Sequence, residues 1–163
     1  MNNQSCFEGI CICNCNDFNS EFVRTIGKET RFDVTLHELC HSNIGWFGDK
    51  SLGDHLIREW KLGSKEGVYL LWHKNAYCDT HNLFHMRCLY VGKGNIPLRI
   101  IDHWKNKDFS DEMLVYWSFM VMQNRMAKYI EQLLLDLFAF PHNKSEARGS
   151  KKLCAYFTQG EVD

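Results

Sequence analysis

The amino-acid sequence predicts an α+β fold, and three observations carry that prediction. Two β-prone runs, Gly67–His73 (GVYLLWH) and Leu83–Gly92 (LFHMRCLYVG), flank a polar stretch at Asn75–Asn82, as antiparallel strands joined by a loop would. An almost wholly apolar run, Met113–Met122 (MLVYWSFMVM), has the composition of a buried central strand. Helical apolar spacing lies on either side of that run, so the order from residue 67 is β-β-α-β-α. Residues 1–62 read as a mainly helical accessory segment, residues 63–163 as a second unit, and Gly63-Ser64 as the break between them.

Each element has its own local warrant. Ile10–Cys15 is a short strand candidate in an Asn- and Cys-rich N-terminus. Residues 29–43 place Phe32, Leu36, Leu39 and Cys40 at helical spacing, and Gly45 and Gly48 end that element. Ser51 caps a second helix over 51–62, with Leu52, His55, Leu56 and Trp60 on one stripe. Asn95 and Pro97 open a further helix, with Ile100, Ile101 and Trp104 on its buried side. Asn124 caps a long helix whose core stripe is Met126, Ile130, Leu133, Leu134, Leu137 and Phe138, and Pro141 stops it. Leu153–Thr158 reads as a last edge strand.

Composition narrows the function classes. The chain has 163 residues and 13% aromatics, enough for a real core and too many for a disordered tail protein. No apolar run approaches the roughly 20 residues of a membrane span. The N-terminus has neither a basic start nor a long apolar core, so no secretory signal is read there. Net charge is -1, yet residues 1–62 carry -3, residues 63–152 carry +4 and the last eleven carry -2. The positive charge is densest between Arg87 and Lys107, a modest footprint for phosphate contacts.

Eight cysteines stand at 6, 11, 13, 15, 40, 78, 88 and 154. Without a secretory signal they read as reduced and intracellular, which places the protein in the cytoplasm. Cys11, Cys13 and Cys15 would share one strand face and, with Cys6, could hold structural zinc; the alternative is a face of buried thiols. The spacing Cys78-x2-His81-x3-His85-x2-Cys88 offers a second zinc set. On a strand, however, His85 and Cys88 would point to opposite faces.

Several polar residues of the second unit sit where packing alone has no use for them. Arg99 and His103, four apart, share a helix face opposite Ile100, Ile101 and Trp104. Glu131 borders the apolar stripe of the long helix, where it either pairs with Lys128 or serves a site. Tyr69 and Tyr90 lie on adjacent strands. Taken in order, Gly67-Val68-Tyr69, Tyr90-Val91-Gly92, Lys93-Gly94, Arg99, His103, Glu131 and Asn143 resemble the GIY-YIG nuclease family over residues 66–144. The spacing from Tyr90 to Arg99 is one residue shorter than in many members, and the segment between the tripeptides is long.

The resemblance implies a small three-stranded sheet, mixed or antiparallel, flanked by helices. It also implies an endonuclease that hydrolyses DNA phosphodiester bonds with one Mg²⁺ or Mn²⁺. Glu131 would be the metal ligand. Tyr69 would activate the attacking water, Arg99 would hold the scissile phosphate, and His103 would orient Tyr90, Tyr69 or a phosphate oxygen. Asn143 would tie the site together. Lys93 would supply positive charge beside the tyrosines, and Lys93, Arg99 and Lys105 would bind substrate. DNA is the expected partner, with RNA as the variant substrate. An inhibitory immunity protein follows only for a toxin. Phe138–Phe140 or the acidic N-terminal segment offers a surface for self-association.

Two other function classes compete. His37-Glu38-Leu39-Cys40-His41 matches H-E-x-x-H, which on a helix sets two imidazoles for zinc and a carboxylate as base of a metalloprotease. The extended form is missing, because Gly45 falls one position late and position 47 is Phe; His55 or Glu59 would have to be the third ligand. The other alternative is a non-catalytic nucleic-acid-binding module that keeps the nuclease frame.

Overall fold

The computed structural model describes residues 34–48, 65–79, 81–106, 114–143 and 148–162. The expected strand at Ile10–Cys15, the cysteines Cys6, Cys11, Cys13 and Cys15, the helix over 51–62 with His55 and Glu59, the break at Gly63-Ser64, and Lys107 lie outside the described residues.

In chain order the elements are α1 (Leu36–His41), β1 (Gly45–Phe47), β2 (Glu66–Cys78), β3 (Leu83–Asn95), α2 (Ile96–Asn106), β4 (Val115–Val121), α3 (Asn124–Leu137), β5 (Cys154–Thr158) and α4 (Gln159–Val162). The class is α+β, with the β-β-α-β-α order in its middle. The sheet is larger than the three strands expected: five strands lie in the order β1-β4-β2-β3-β5, and every neighbouring pair is antiparallel. The two added strands are edges. β5 matches the expected edge strand. β1 does not, because Gly45 and Gly48 suggested only a helix stop. Gly45 is needed for a different reason: a Cβ there would run into the Trp117 indole across the ladder. The N-terminal part, expected to be mainly helical, therefore gives the sheet a strand as well as a helix.

β2 and β3 form a long hairpin, 13 residues each. Asn75–Cys78, expected in the connecting loop, extend β2 instead, and the connection shrinks to residues 79–82. Asn82 takes a left-handed φ of 54° and accepts a 3.1 Å hydrogen bond from the Tyr77 hydroxyl, so the short turn is locally satisfied. A bulge falls between Leu71 and Trp72, where the register skips Leu89.

The sheet is covered on both faces. Val68, Leu70 and Trp72 on β2 pack with Ala127, Ile130 and Leu134 of α3 and with Leu36, Leu39 and Cys40 of α1. Tyr69 and Leu71 face the other way, against Ile96, Ile100 and Trp104 of α2 and Trp117 and Phe119 of β4. This alternation along one strand is the period-2 pattern of a sheet buried on both sides. Phe138 and Phe140 are buried in the α1/α3 core, so this pair fills the interior and is not a surface for self-association. No helix among the described residues is long and apolar enough to cross a membrane.

Helix ends follow their capping chemistry. Thr35 and Glu38 form a capping box at α1: Thr35 Oγ1 accepts from Glu38 N–H and Glu38 Oε2 accepts from Thr35 N–H, both at 3.0 Å. Asn95 Oδ1 accepts from Leu98 N–H at 3.2 Å and opens α2 as expected. Asn124 departs from expectation. Gln123 is the N-cap of α3, without a side-chain bond, and Asn124 is the first helical residue.

Gly67 pairs with Gly94 on one side and Val121 on the other, and a Cβ on it would collide with the Met120 carbonyl oxygen. Because the obstacle is backbone, relief requires the β2/β4 pairing to shift. Gly67→Ala is therefore expected to lower stability by at least about 1–3 kcal/mol, the usual cost of overpacking. Urea unfolding of the variant against wild type measures it, and an unchanged midpoint would refute the close approach.

Candidate functional site

β5 pairs with β3 only from Leu83 to Arg87. From Cys88 onward the outer edge of β3 is finished by other groups, and the candidate residues gather there. Tyr69 on β2 lies opposite Gly92, and Tyr90 on β3 lies opposite Leu71, so both phenols project to the α2 side. Their rings stack at 5.9 Å between centroids, 29° apart. Gly92 makes this possible, because a Cβ on it would fall 2.5 Å from the Tyr69 hydroxyl and 2.7 Å from the Tyr90 ring. The glycine of the second tripeptide thus has a packing role at the site.

His103 enters the same cluster from α2. The sequence placed it on a polar face; the structure buries it at 3% exposure. Its Nε2 lies 2.6 Å from the Tyr69 hydroxyl, and its ring meets Tyr90 edge-on at 4.4 Å. The two hydroxyls also act on each other, Tyr90 raising Tyr69 and Tyr69 lowering Tyr90. His103, Tyr69 and Tyr90 therefore form one connected hydrogen-bonding chain. It runs from a buried imidazole through a buried phenol to a half-buried one.

Arg99 and Glu131 flank that chain. Arg99 is exposed on the first turns of α2, and its side chain lies beside Gly94, whose φ of 121° favours glycine. Glu131 is half-buried on α3. Burial raises both phenols above the ordinary Tyr range; the Glu131 carboxylate raises them further, and the Arg99 guanidinium lowers them. Two elements on opposite faces of the sheet thus bring a cation and an anion to the same pair of hydroxyls.

The remaining candidates divide. Lys93 lies on the α3 side and donates to Asn124 Oδ1 at 3.3 Å, a contact the sequence did not suggest. Asn143 acts on the backbone: its Oδ1 accepts from Val91 N–H at 3.0 Å and its Nδ2 donates to Val91 O at 2.9 Å. It holds the strand between Tyr90 and Gly92, so it is a positioning residue. Lys105 is exposed on the last turn of α2, about 9 Å farther along the axis than Arg99 at 1.5 Å per residue. Asp102, absent from the expected set, adds negative charge near Tyr90; its position three residues after Arg99 on the same helix was the available signal.

Glu131 suits a hard divalent ion that keeps much of its water. Among the described residues no three His, Cys, Asp or Glu side chains cluster as a full protein cage, and Mg²⁺ needs no such cage. Cys78 Sγ and His81 Nδ1 lie 3.3 Å apart, but His85 turns its ring to Tyr156 and Cys88 is buried with its thiol toward Tyr90 O. Cys78 and His81 thus meet at the hairpin end, while His85 and Cys88 have surroundings of their own. In the HELCH segment, Glu38 Oε2 accepts from the Thr35 N–H at the helix N-terminus.

No family model, no curated protein and no solved structure matches this chain.

Two consequences are measurable. The pair Asn143–Val91 satisfies one donor and one acceptor on a strand edge. Asn143→Ala is expected to cost about 1–3 kcal/mol and to speed amide exchange at Val91, which NMR reads directly; unchanged exchange would show that the bracket is not holding β3. The raised phenols set an alkaline limit. In the unfolded chain Tyr69 ionises near pH 10, while in the folded chain it keeps its proton to higher pH. The native state then binds more protons, so stability is intact below about pH 10 and is lost as pH rises beyond it. Tyr69→Phe is expected to flatten this loss by up to about 1.4 kcal/mol per pH unit, checked by urea unfolding at stepped alkaline pH.

Proposed function

We propose that the protein is a metal-dependent endonuclease that hydrolyses DNA phosphodiester bonds, with the GIY-YIG-like residues as its site. One observation carries this reading: Tyr69, Tyr90, His103, Arg99 and Glu131, drawn from two strands and two helices, act on one another at a single sheet edge. The Arg99 guanidinium and the Glu131 carboxylate both act electrostatically on the paired phenols. The +4 charge of residues 63–152 suits a polyanionic substrate.

The chemistry follows from the chain of hydrogen bonds. A free phenol is ionised at about one part in a thousand at pH 7, and these two are less acidic still. A resting phenolate is therefore a poor base. A relay avoids the problem: the water's proton passes to the Tyr90 oxygen, the Tyr90 proton to the Tyr69 oxygen, and the Tyr69 proton to His103 Nε2, 2.6 Å away, which ends as imidazolium. Tyr69 then never carries a full charge. Arg99 presents a guanidinium to the phosphate and to the charge that grows in the transition state. A divalent ion held by Glu131 would supply Lewis acidity toward phosphate oxygens. Water attacks phosphorus in line and the O3′–P bond breaks, the departing O3′ taking a proton from solvent, so that 5′-phosphate and 3′-hydroxyl ends are left.

Plasmid nicking in Mg²⁺ or Mn²⁺ tests this. Arg99→Ala and Glu131→Ala are each expected to slow cleavage by about 10²-fold or more, in the range of losing one transition-state charge contact. Asp136→Asn, exposed on the last turn of α3 and outside the site, serves as the control and should cut at the wild-type rate. Wild-type cutting by Glu131→Ala would sink the assignment. Absence of DNA and RNA cleavage together with casein degradation lost in Glu38→Ala would favour the metalloprotease.

A further inference from the structure

The HELCH segment leaves a feature the nuclease reading does not absorb. His37 and His41 are four residues apart on α1, one turn above one another. Their rings lie nearly parallel, 4.1 Å between centroids and 19° between planes. His37 is exposed, whereas the His41 side chain keeps 13% of its surface. The two rings therefore form a pair with one fixed member and one movable one.

The fixed member is held from behind. His41 Nδ1 lies 2.6 Å from Glu161 Oε1. The other oxygen of Glu161 accepts from Thr158 N–H at 2.6 Å and from the Thr158 hydroxyl at 3.0 Å, so the carboxylate cannot turn away. Phe157 meets the His41 ring edge-on at 5.0 Å. With Nδ1 engaged, Nε2 is the nitrogen left to act. A carboxylate behind the non-ligating nitrogen is the outer shell that orients metal-bound imidazoles.

We propose that His37 and His41 form a two-imidazole site for a borderline divalent transition ion of the zinc or nickel class, with Glu161 as the outer-shell carboxylate and water completing the coordination. Imidazole donors select this class over Mg²⁺. Parallel rings must tilt toward a common point, and exposed His37 can do so without disturbing the core. The site joins α1 to the chain end at α4, and none of its residues belongs to the phenol cluster. Glu38 caps the helix and takes no part, so the site is a clasp and not a peptidase centre.

The test uses the full chain, with all eight cysteines, and Ni²⁺ as the probe. Calorimetric titration of wild type is expected to show one more bound ion than His37→Ala, because any thiol site elsewhere persists in both. Glu161→Gln is expected to keep that ion but bind it about 10–100-fold more weakly. The His41 ring protons should broaden on Ni²⁺ addition in wild type, a reading that needs no variant. Equal stoichiometry in wild type and His37→Ala, or His41 resonances unaffected by bound Ni²⁺, would overturn the site. Unweakened binding by Glu161→Gln would overturn the role of the carboxylate.

Discussion

Two polar side chains, Tyr69 and His103, lie in the apolar layer between β2 and α2, and each is tolerable there because of the other. A buried hydroxyl or imidazole left without a partner costs about 1–3 kcal/mol. Removing either side of the 2.6 Å contact would impose that cost on the one that remains. The contact also fixes the rotation of α2 about its axis. With His103 inward, Ile96, Ile100 and Trp104 fall on the same buried side, and Arg99 emerges one turn earlier, where the helix leaves β3. The guanidinium is thus aimed by a hydrogen bond it does not itself make. Gly92 belongs to the same constraint, since the two stacked phenols occupy the space its side chain would need.

Sheet edges are the second problem this fold solves, and it solves it twice with asparagine. A strand edge exposes N–H and C=O groups that must find partners. Where β5 stops, Asn143 presents a side-chain amide to both the N–H and the C=O of Val91, as a neighbouring strand would. At the far side of the sheet, Ser42 O accepts from Phe119 N–H, and Asn43, at a left-handed φ of 52°, donates to Phe119 O. Both brackets terminate pairing without adding a strand.

What the sequence made legible follows from locality. The hairpin, the helix opened by Asn95 and Pro97, the apolar central strand and the last edge strand are encoded by period and capping within each segment. The strand β1 is not, because three residues with two flanking glycines carry no period, and its strand character comes from the Trp117 indole packed across it. Asn75–Cys78 were misplaced for a related reason: polar residues in a strand look like loop until the partner strand supplies the ladder. Among the candidate residues, the ordered tripeptides and Arg99, His103 and Glu131 were visible as an ordered set. The burial of His103 was not, since helical spacing put it opposite the apolar stripe, and only the Tyr69 hydroxyl makes the inward position affordable. The bond from Lys93 to Asn124 joins residues 31 apart in sequence and leaves no local trace.

The electrostatics of the phenol pair give the nuclease reading an internal logic. Arg99 pulls the phenols toward ionisation and Glu131 opposes it, so in the protein alone the two charges partly cancel at the hydroxyls. Compensating the Glu131 carboxylate with a cation removes the opposition and leaves the Arg99 influence standing. In the proposed reaction, a phosphate on Arg99 would restore negative charge next to the phenols, which would disfavour a free phenolate and favour a proton moving from Tyr90 through Tyr69 to His103 in one concerted shift. The burial of Tyr69, which would disable it as an independent base, is what suits it to the middle of such a relay. A buried phenol between an imidazole and a half-exposed phenol exchanges one proton for another and keeps its net charge at zero, so the low-dielectric layer around it never has to accommodate a phenolate.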